Sequence, residues 1–188
     1  RGLTILPAMS DRHLTQTANS PLHLSFLPNA ATLNQQVVRA YRALGEADYR
    51  ERSHYIDGRF ENVYVETARI PELRLILAHA GACAREILAL GDRPLRSGLW
   101  FNDMGPGQST SEHTHEEYDE LLSAVYYLEV PENSGDLVLL DRWTTTRLTP
   151  RAGMFVFFPP SLPHRVETNR SGQSRLSLGI NIGPGEEP

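Results

Sequence analysis

The segment Gly107-Gln108-Ser109-Thr110-Ser111-Glu112-His113-Thr114-His115 carries two imidazoles two residues apart. On an extended chain such residues point to the same side, about 7 Å apart along the backbone. Their rings can therefore converge on one ion at roughly 2 Å from each nitrogen. A third donor has to come from another strand. His164, preceded by Pro163 and the apolar run Met154–Phe158, is the natural candidate. Imidazole donors suit iron, copper, zinc or nickel, with geometry deciding among them. Four acids follow the pair at Glu116, Glu117, Asp119 and Glu120. Catalytic sites commonly combine two histidines with one carboxylate, so Glu117, Asp119 or Glu120 is an alternative ligand. His13, His23 and His54 lie in polar or proline-bounded stretches and His79 at the edge of a helical stripe, so none of them is assigned to the site.

The last strand-like segment adds a second element. Arg175, Ser177, Gly179 and Asn181 alternate with Leu176, Leu178, Ile180 and Ile182. A guanidinium is costly to bury unpaired, so an inward Arg175 implies an anionic partner. Arginine binds carboxylates through two parallel hydrogen bonds, and Ser177 can donate another.

Two helices and a set of strands must position these groups. The periodicity predicts a first helix from about Leu33 to Leu44, with Thr32 as N-cap, Gln35 completing a capping box and Gly45 as the stop. A second helix is expected from Pro71 to just before Gly91, burying Leu73, Ile76, Leu77, Ala80, Ala84, Ile87 and Leu88. The residues between them read as loop or short strand. After Pro94, strands are expected near 98–102, 121–130, 136–140, 144–148, 154–158, 165–167 and 174–182, because short Val/Phe/Tyr/Leu/Thr runs alternate there with Gly, Pro, Asn and Asp. Helices followed by antiparallel strands suggest a mainly β fold with flanking helices, a double-stranded β-helix or cupin-like jelly-roll barrel. Residues 1–188 read as one domain, with 1–95 mostly helical and loop support and 96–183 the barrel core.

The chain has 188 residues, 40% of them hydrophobic and 22% charged, which suits one globular core. Its net charge of −5 argues against a nucleic-acid surface, and no apolar run reaches the roughly 18 residues of a membrane span. A small-molecule or peptide partner is expected, and homodimerisation is left open. The single cysteine, Cys83, permits no intrachain disulfide and favours a cytoplasmic setting; it reads as a small buried side chain.

Three passages resemble the 2-oxoglutarate and Fe(II)-dependent oxygenases, most closely small bacterial members related to the prolyl hydroxylases. They are His113-Thr114-His115 followed by Ser123–Pro131 and Ser134–Leu137; Pro150–Gly153 leading through Phe157-Phe158-Pro159 to Leu162-Pro163-His164; and Arg175-Leu176-Ser177, eleven residues after His164. The resemblance runs from about Leu99 to Ile182. It implies Fe(II) and 2-oxoglutarate as cofactors, O2 as co-reactant, and Arg175 and Ser177 on the cosubstrate's distal carboxylate. Tyr126 or Tyr127 would add a hydrogen bond there, strand alternation allowing only one of them to face inward. The resemblance carries over no substrate-binding residue; Trp100 and Asn102, on a strand leading toward the site, and Asn181 are the candidates for the substrate pocket. The family's usual first motif is His-x-Asp or His-x-Glu; here His115 stands in the acidic place, and a three-histidine set of His113, His115 and His164 is favoured. The chain also resembles the cupins through Gly107, His113, His115 and Glu120. That reading implies Glu120 as a fourth ligand and a dioxygenase or isomerase that needs no 2-oxoglutarate. A non-catalytic metal-binding sensor barrel, its coordination shell closed by Glu120, is a further alternative.

Overall fold

A computed structural model describes residues 14–16, 21–56, 58–116 and 118–186. In chain order the elements are β1 (Thr15–Gln16), β2 (His23–Phe26), α1 (Ala30–Arg42), β3 (Tyr49–Ile56), β4 (Arg59–Val65), α2 (Leu73–Ile87), β5 (Leu95–Met104), β6 (Thr110–His113), β7 (Leu122–Glu129), β8 (Leu137–Leu140), β9 (Thr145–Leu148), β10 (Met154–Phe158), β11 (His164–Val166) and β12 (Arg175–Pro184). An eight-stranded sheet runs β1-β2-β10-β7-β12-β5-β4-β3, and a four-stranded sheet runs β6-β11-β8-β9. Every strand pairing in them is antiparallel. The fold is mainly β, a double-stranded β-helix with helices against its larger sheet.

Strand alternation sorts the large sheet into two faces. Leu122, Ala124, Tyr126 and Leu128 of β7, Phe155 and Phe157 of β10, and Leu176, Leu178, Ile180 and Ile182 of β12 pack with Val37, Tyr41, Leu73, Ile76, Ala80 and Ala84 of the helices. The opposite face supplies Tyr127, Met154, Val156 and Phe158, which meet Leu137 and Leu139 of the small sheet. The run Met154–Phe158 is buried throughout because β10 is covered on both faces.

Several expectations need correction. The first helix starts at Ala30, behind Asn29 in a left-handed conformation (φ 54°), and neither Thr32 nor any side chain caps it. Asn tolerates that conformation, and Ala30 and Ala31 extend the helix by one turn at little cost. The second helix begins at Leu73 and ends at Ile87, inside the expected limits. Residues 1–95 are mostly helix and loop, but they also supply β1–β4, which join the barrel's own sheet. β3 is an edge strand with an exposed, highly charged sequence, so it shows little hydrophobic alternation. Cys83 is buried in α2 as expected. His79 is not at the helix edge. It is buried, stacks on Phe155 and meets Ser25 Oγ at 2.9 Å through Nε2. Among the described residues, no helix is long and apolar enough to cross a membrane.

Candidate metal and cosubstrate site

His113 closes β6 and His164 opens β11, and the two are directly paired across the small sheet. His115 lies two residues beyond His113, its backbone N–H held by Pro160 O at 2.8 Å. The ligating nitrogens of His113, His115 and His164 all lie within 4.8 Å of one another. The fold therefore makes neighbours of residues about fifty positions apart in the chain.

Each ring is held through Nδ1. His113 donates to Ser111 O at 2.8 Å and His164 to Leu162 O at 2.9 Å. His115 Nδ1 is 3.0 Å from Ser123 Oγ, which donates to Asn181 Oδ1 at 2.9 Å. Since Ser123 spends its proton on Asn181, it accepts from His115. All three rings then keep Nε2 unprotonated, the form a metal requires. Burial, reinforced by His113, pushes His115 down to about 4 and His164 down to about 3.

None of the acids joins this cluster among the described residues. Asp119 pairs with Arg96 on the surface. Glu120 accepts the Tyr118 N–H at 3.0 Å, so the closed shell expected of a cupin or sensor site is not assembled. Glu117 lies outside the described residues.

The cavity beside the histidines is lined by Asn62, Trp100, Asn102, Thr110, Val125, Tyr127, Leu137, Val166, Arg175, Ser177 and Gly179, along with the three rings. Arg175 is 1% exposed. It donates through Nη1 to Gly135 O at 2.9 Å and Ser134 O at 3.4 Å, with its guanidinium 5.6 Å from the centre of the Tyr127 ring. Its Nε and the Tyr127 hydroxyl are both buried without a hydrogen-bond partner. Such orphaned donors are rare in native interiors and call for a ligand. Burial also raises Tyr127 to about 12, so its hydroxyl stays a neutral donor. A carboxylate supplies the acceptors both groups lack, and the neutral Nε2 atoms suit a divalent ion; these residues therefore fit iron(II) and 2-oxoglutarate.

Of the tyrosine pair, Tyr127 faces the cavity. Tyr126 faces the helices, where its hydroxyl donates to Asn34 Oδ1 at 2.6 Å, which removes it from the site. Asn181 does not line the cavity and acts through Ser123 on His115. Trp100 and Asn102 do line it. Trp100 meets His115 edge-on, ring centres 5.4 Å apart, and lies so close over Gly179 that a Cβ there would stand 2.2 Å from Cε2. Sequence reasoning did not single out Asn62, Ser123 or Arg59. Ser123 shares a strand face with Tyr127, which was the signal that could have found it; Asn62 and Arg59 sit in a hairpin that read only as loop or short strand.

Residues 99–183 match the family described as the 2OG-Fe(II) oxygenase superfamily. No curated protein matches the chain. Among solved structures, a prolyl-4-hydroxylase from Pseudomonas putida is 21% identical, covering 89% of this chain and 95% of its own at a TM-score of 0.68. SnoK, a non-heme alpha-ketoglutarate-dependent carbocyclase from nogalamycin biosynthesis, is 20% identical over 88% of this chain and 80% of its own, with a TM-score of 0.69. A prolyl hydroxylase from Trichoplax adhaerens, solved with a peptide fragment, is 14% identical over 88% of this chain and 84% of its own, with a TM-score of 0.64. At such identities these three attest the fold alone, whereas the family match spans all three histidines and Arg175. Over residues 99–183, the segment that carries the three histidines and Arg175, the chain matches the 2OG-Fe(II) oxygenase superfamily, and this match supports an oxygenase that depends on iron(II) and 2-oxoglutarate.

Proposed function

We propose that His113, His115 and His164 hold the iron and that Arg175, Ser177 and Tyr127 hold the far carboxylate of 2-oxoglutarate, so that the chain hydroxylates or otherwise oxidises a small molecule or peptide. The observation that carries this reading is the pair of orphaned donors, Arg175 Nε and Tyr127 Oη, buried in the same cavity as the three imidazoles. Bound together, the metal and the keto acid supply the activation of O2 and the oxidation of a nearby C–H bond. The protein's part is orientation and exclusion of water. Leu162 O, Ser111 O and Ser123 fix the rings. Val125, Leu137 and Val166 keep the cavity wall apolar around them. Arg175 is anchored by Gly135 O, and a side chain at Gly135 would meet Glu167 O at 2.1 Å, so only glycine leaves that carbonyl in place. We further propose that residues 1–188 act as one domain, because strands from both halves share the large sheet.

The test is calorimetric titration of 2-oxoglutarate into protein loaded with Mn(II), alongside succinate release with Fe(II) and ascorbate. Binding that requires the metal and weakens at least about tenfold in Arg175→Ala supports the reading. No metal-dependent binding of 2-oxoglutarate refutes it.

A further inference from the structure

This inference rests on the function proposed above and concerns the charge and hydrogen-bonding character of the cavity wall. Three metal-bound histidines are neutral, and among the described residues no Asp or Glu lines the cavity. A divalent ion and the Arg175 guanidinium, set against the dianion of 2-oxoglutarate, leave one positive charge that no described residue lining the cavity offsets, although Asp136, outside that lining, acts on Arg175 electrostatically. Uncompensated buried charge is expensive. A His-x-Asp motif would cancel it; His115 in the acidic place does not.

Arg59 is paired with the buried Glu61, so it shapes the hydrogen bonding of the wall rather than its charge. β4 and β5 pair at Val63 and Phe101, and the Arg59 guanidinium bridges the two strands and the segment leading into β6. It donates to Asp103 O at 3.4 Å and Ser109 O at 3.0 Å, and lies 3.5 Å from Glu61. It also donates to Asn102 Oδ1 at 3.1 Å and Thr110 Oγ1 at 3.2 Å. Arginine has no acceptor, so Asn102 must turn its oxygen to Arg59 and its NH2 away. Thr110, accepting from Arg59, has its proton left to give. Both residues line the cavity. Trp100 offers only a donor, and Tyr127 and Arg175 carry the orphaned donors. At the rim, Asn62 turns its NH2 to His54 Nδ1 at 3.2 Å and keeps its amide oxygen. The Asn102–Trp100 side of the wall thus offers donors, beside the apolar Val125, Leu137 and Val166 and the one acceptor that Asn62 keeps.

We propose that the substrate of this site is an anion that presents a carboxylate to the Asn102–Trp100 wall, and that Arg59 is the positioning residue that makes this wall donor-only. The experiment uses full-length protein loaded with Mn(II) and 2-oxoglutarate, titrated by calorimetry with isobutyrate, with isobutyramide and with chloride. Isobutyrate should bind at least about tenfold more tightly than isobutyramide or chloride, the margin expected when a site's donors face a ligand that cannot satisfy them. Asn102→Asp, an isosteric change that puts an acceptor on the wall, should abolish this preference. Arg59→Met should reduce it while leaving the 2-oxoglutarate titration unchanged. Equal binding of acid and amide, no binding of the acid, or equally tight chloride each overturns the proposal. Failure of 2-oxoglutarate itself to bind would instead strike the function on which it rests.

Discussion

His113 and His164 face each other across the β6–β11 ladder with ring centres 4.3 Å apart, each donating Nδ1–H to a carbonyl two residues back in its own chain. The site is thereby fixed by the sheet register, and its third ring, His115, by Ser123 on the large sheet. His164→Ala should cost roughly a hundredfold or more in Mn(II) or Co(II) affinity, read by calorimetry, because losing a ligand should cost at least as much as losing a group that only orients one. His115→Asp should keep binding, since a carboxylate there completes a two-histidine facial triad.

Ser123→Ala removes the group that fixes the His115 tautomer without touching the metal. Metal affinity should fall about 10- to 100-fold, with thermal stability of the metal-free protein little changed. An unaltered affinity would show that the Ser123–Asn181 relay does not orient the ring.

Tyr127→Phe separates stability from binding. An unsatisfied buried hydroxyl contributes nothing to the folded protein, so its removal should leave denaturant stability unchanged or raised. The same change should weaken 2-oxoglutarate binding by roughly 1 kcal/mol, the worth of one hydrogen bond. Weakened folding with intact binding would place the hydroxyl outside the cosubstrate's reach.

Gly179→Ala should destabilise the fold by about 1–3 kcal/mol through overpacking, because its Cβ would fall 2.2 Å from the Trp100 ring. Adding Trp100→Leu should recover much of that loss. The coupling energy from a double-mutant cycle in urea measures the contact directly.

Acid should destabilise the metal-free protein. In the unfolded chain His115 and His164 take up protons near their ordinary value of 6.5, whereas folded they resist until about 4 and about 3. Unfolding therefore binds protons in this window, and stability falls as pH drops from about 6.5 towards 4. Urea midpoints at pH 7 and pH 5 check the sign, and replacing His164 with Asn should flatten the difference.

The second half of the chain was legible because buried strands write themselves in apolar runs: Met154–Phe158 matches β10 at both ends. Edge strands do not. β3 buries none of its residues fully, so no periodicity announced it, and with it went the hairpin that carries Arg59 and Asn62. Asn29 as the left-handed start of α1 was hidden for a different reason, since the choice between Thr32 and Asn29 depends on the direction from which the chain enters the helix.

Residue type, strand alternation and spacing were enough to make His113, His115 and His164 candidate ligands, with Glu117, Asp119 or Glu120 as an alternative, and to suggest the barrel, whereas the joint role of Arg175 and Ser177 on a carboxylate came with the family resemblance. The folded chain was needed to show that Tyr127 rather than Tyr126 faces the cavity, that Asp119 and Glu120 bond elsewhere, and that Arg59 stands behind Asn102 and Thr110. Each of these turns on strand register, and register is set by pairing between segments distant in the chain, which no local pattern encodes.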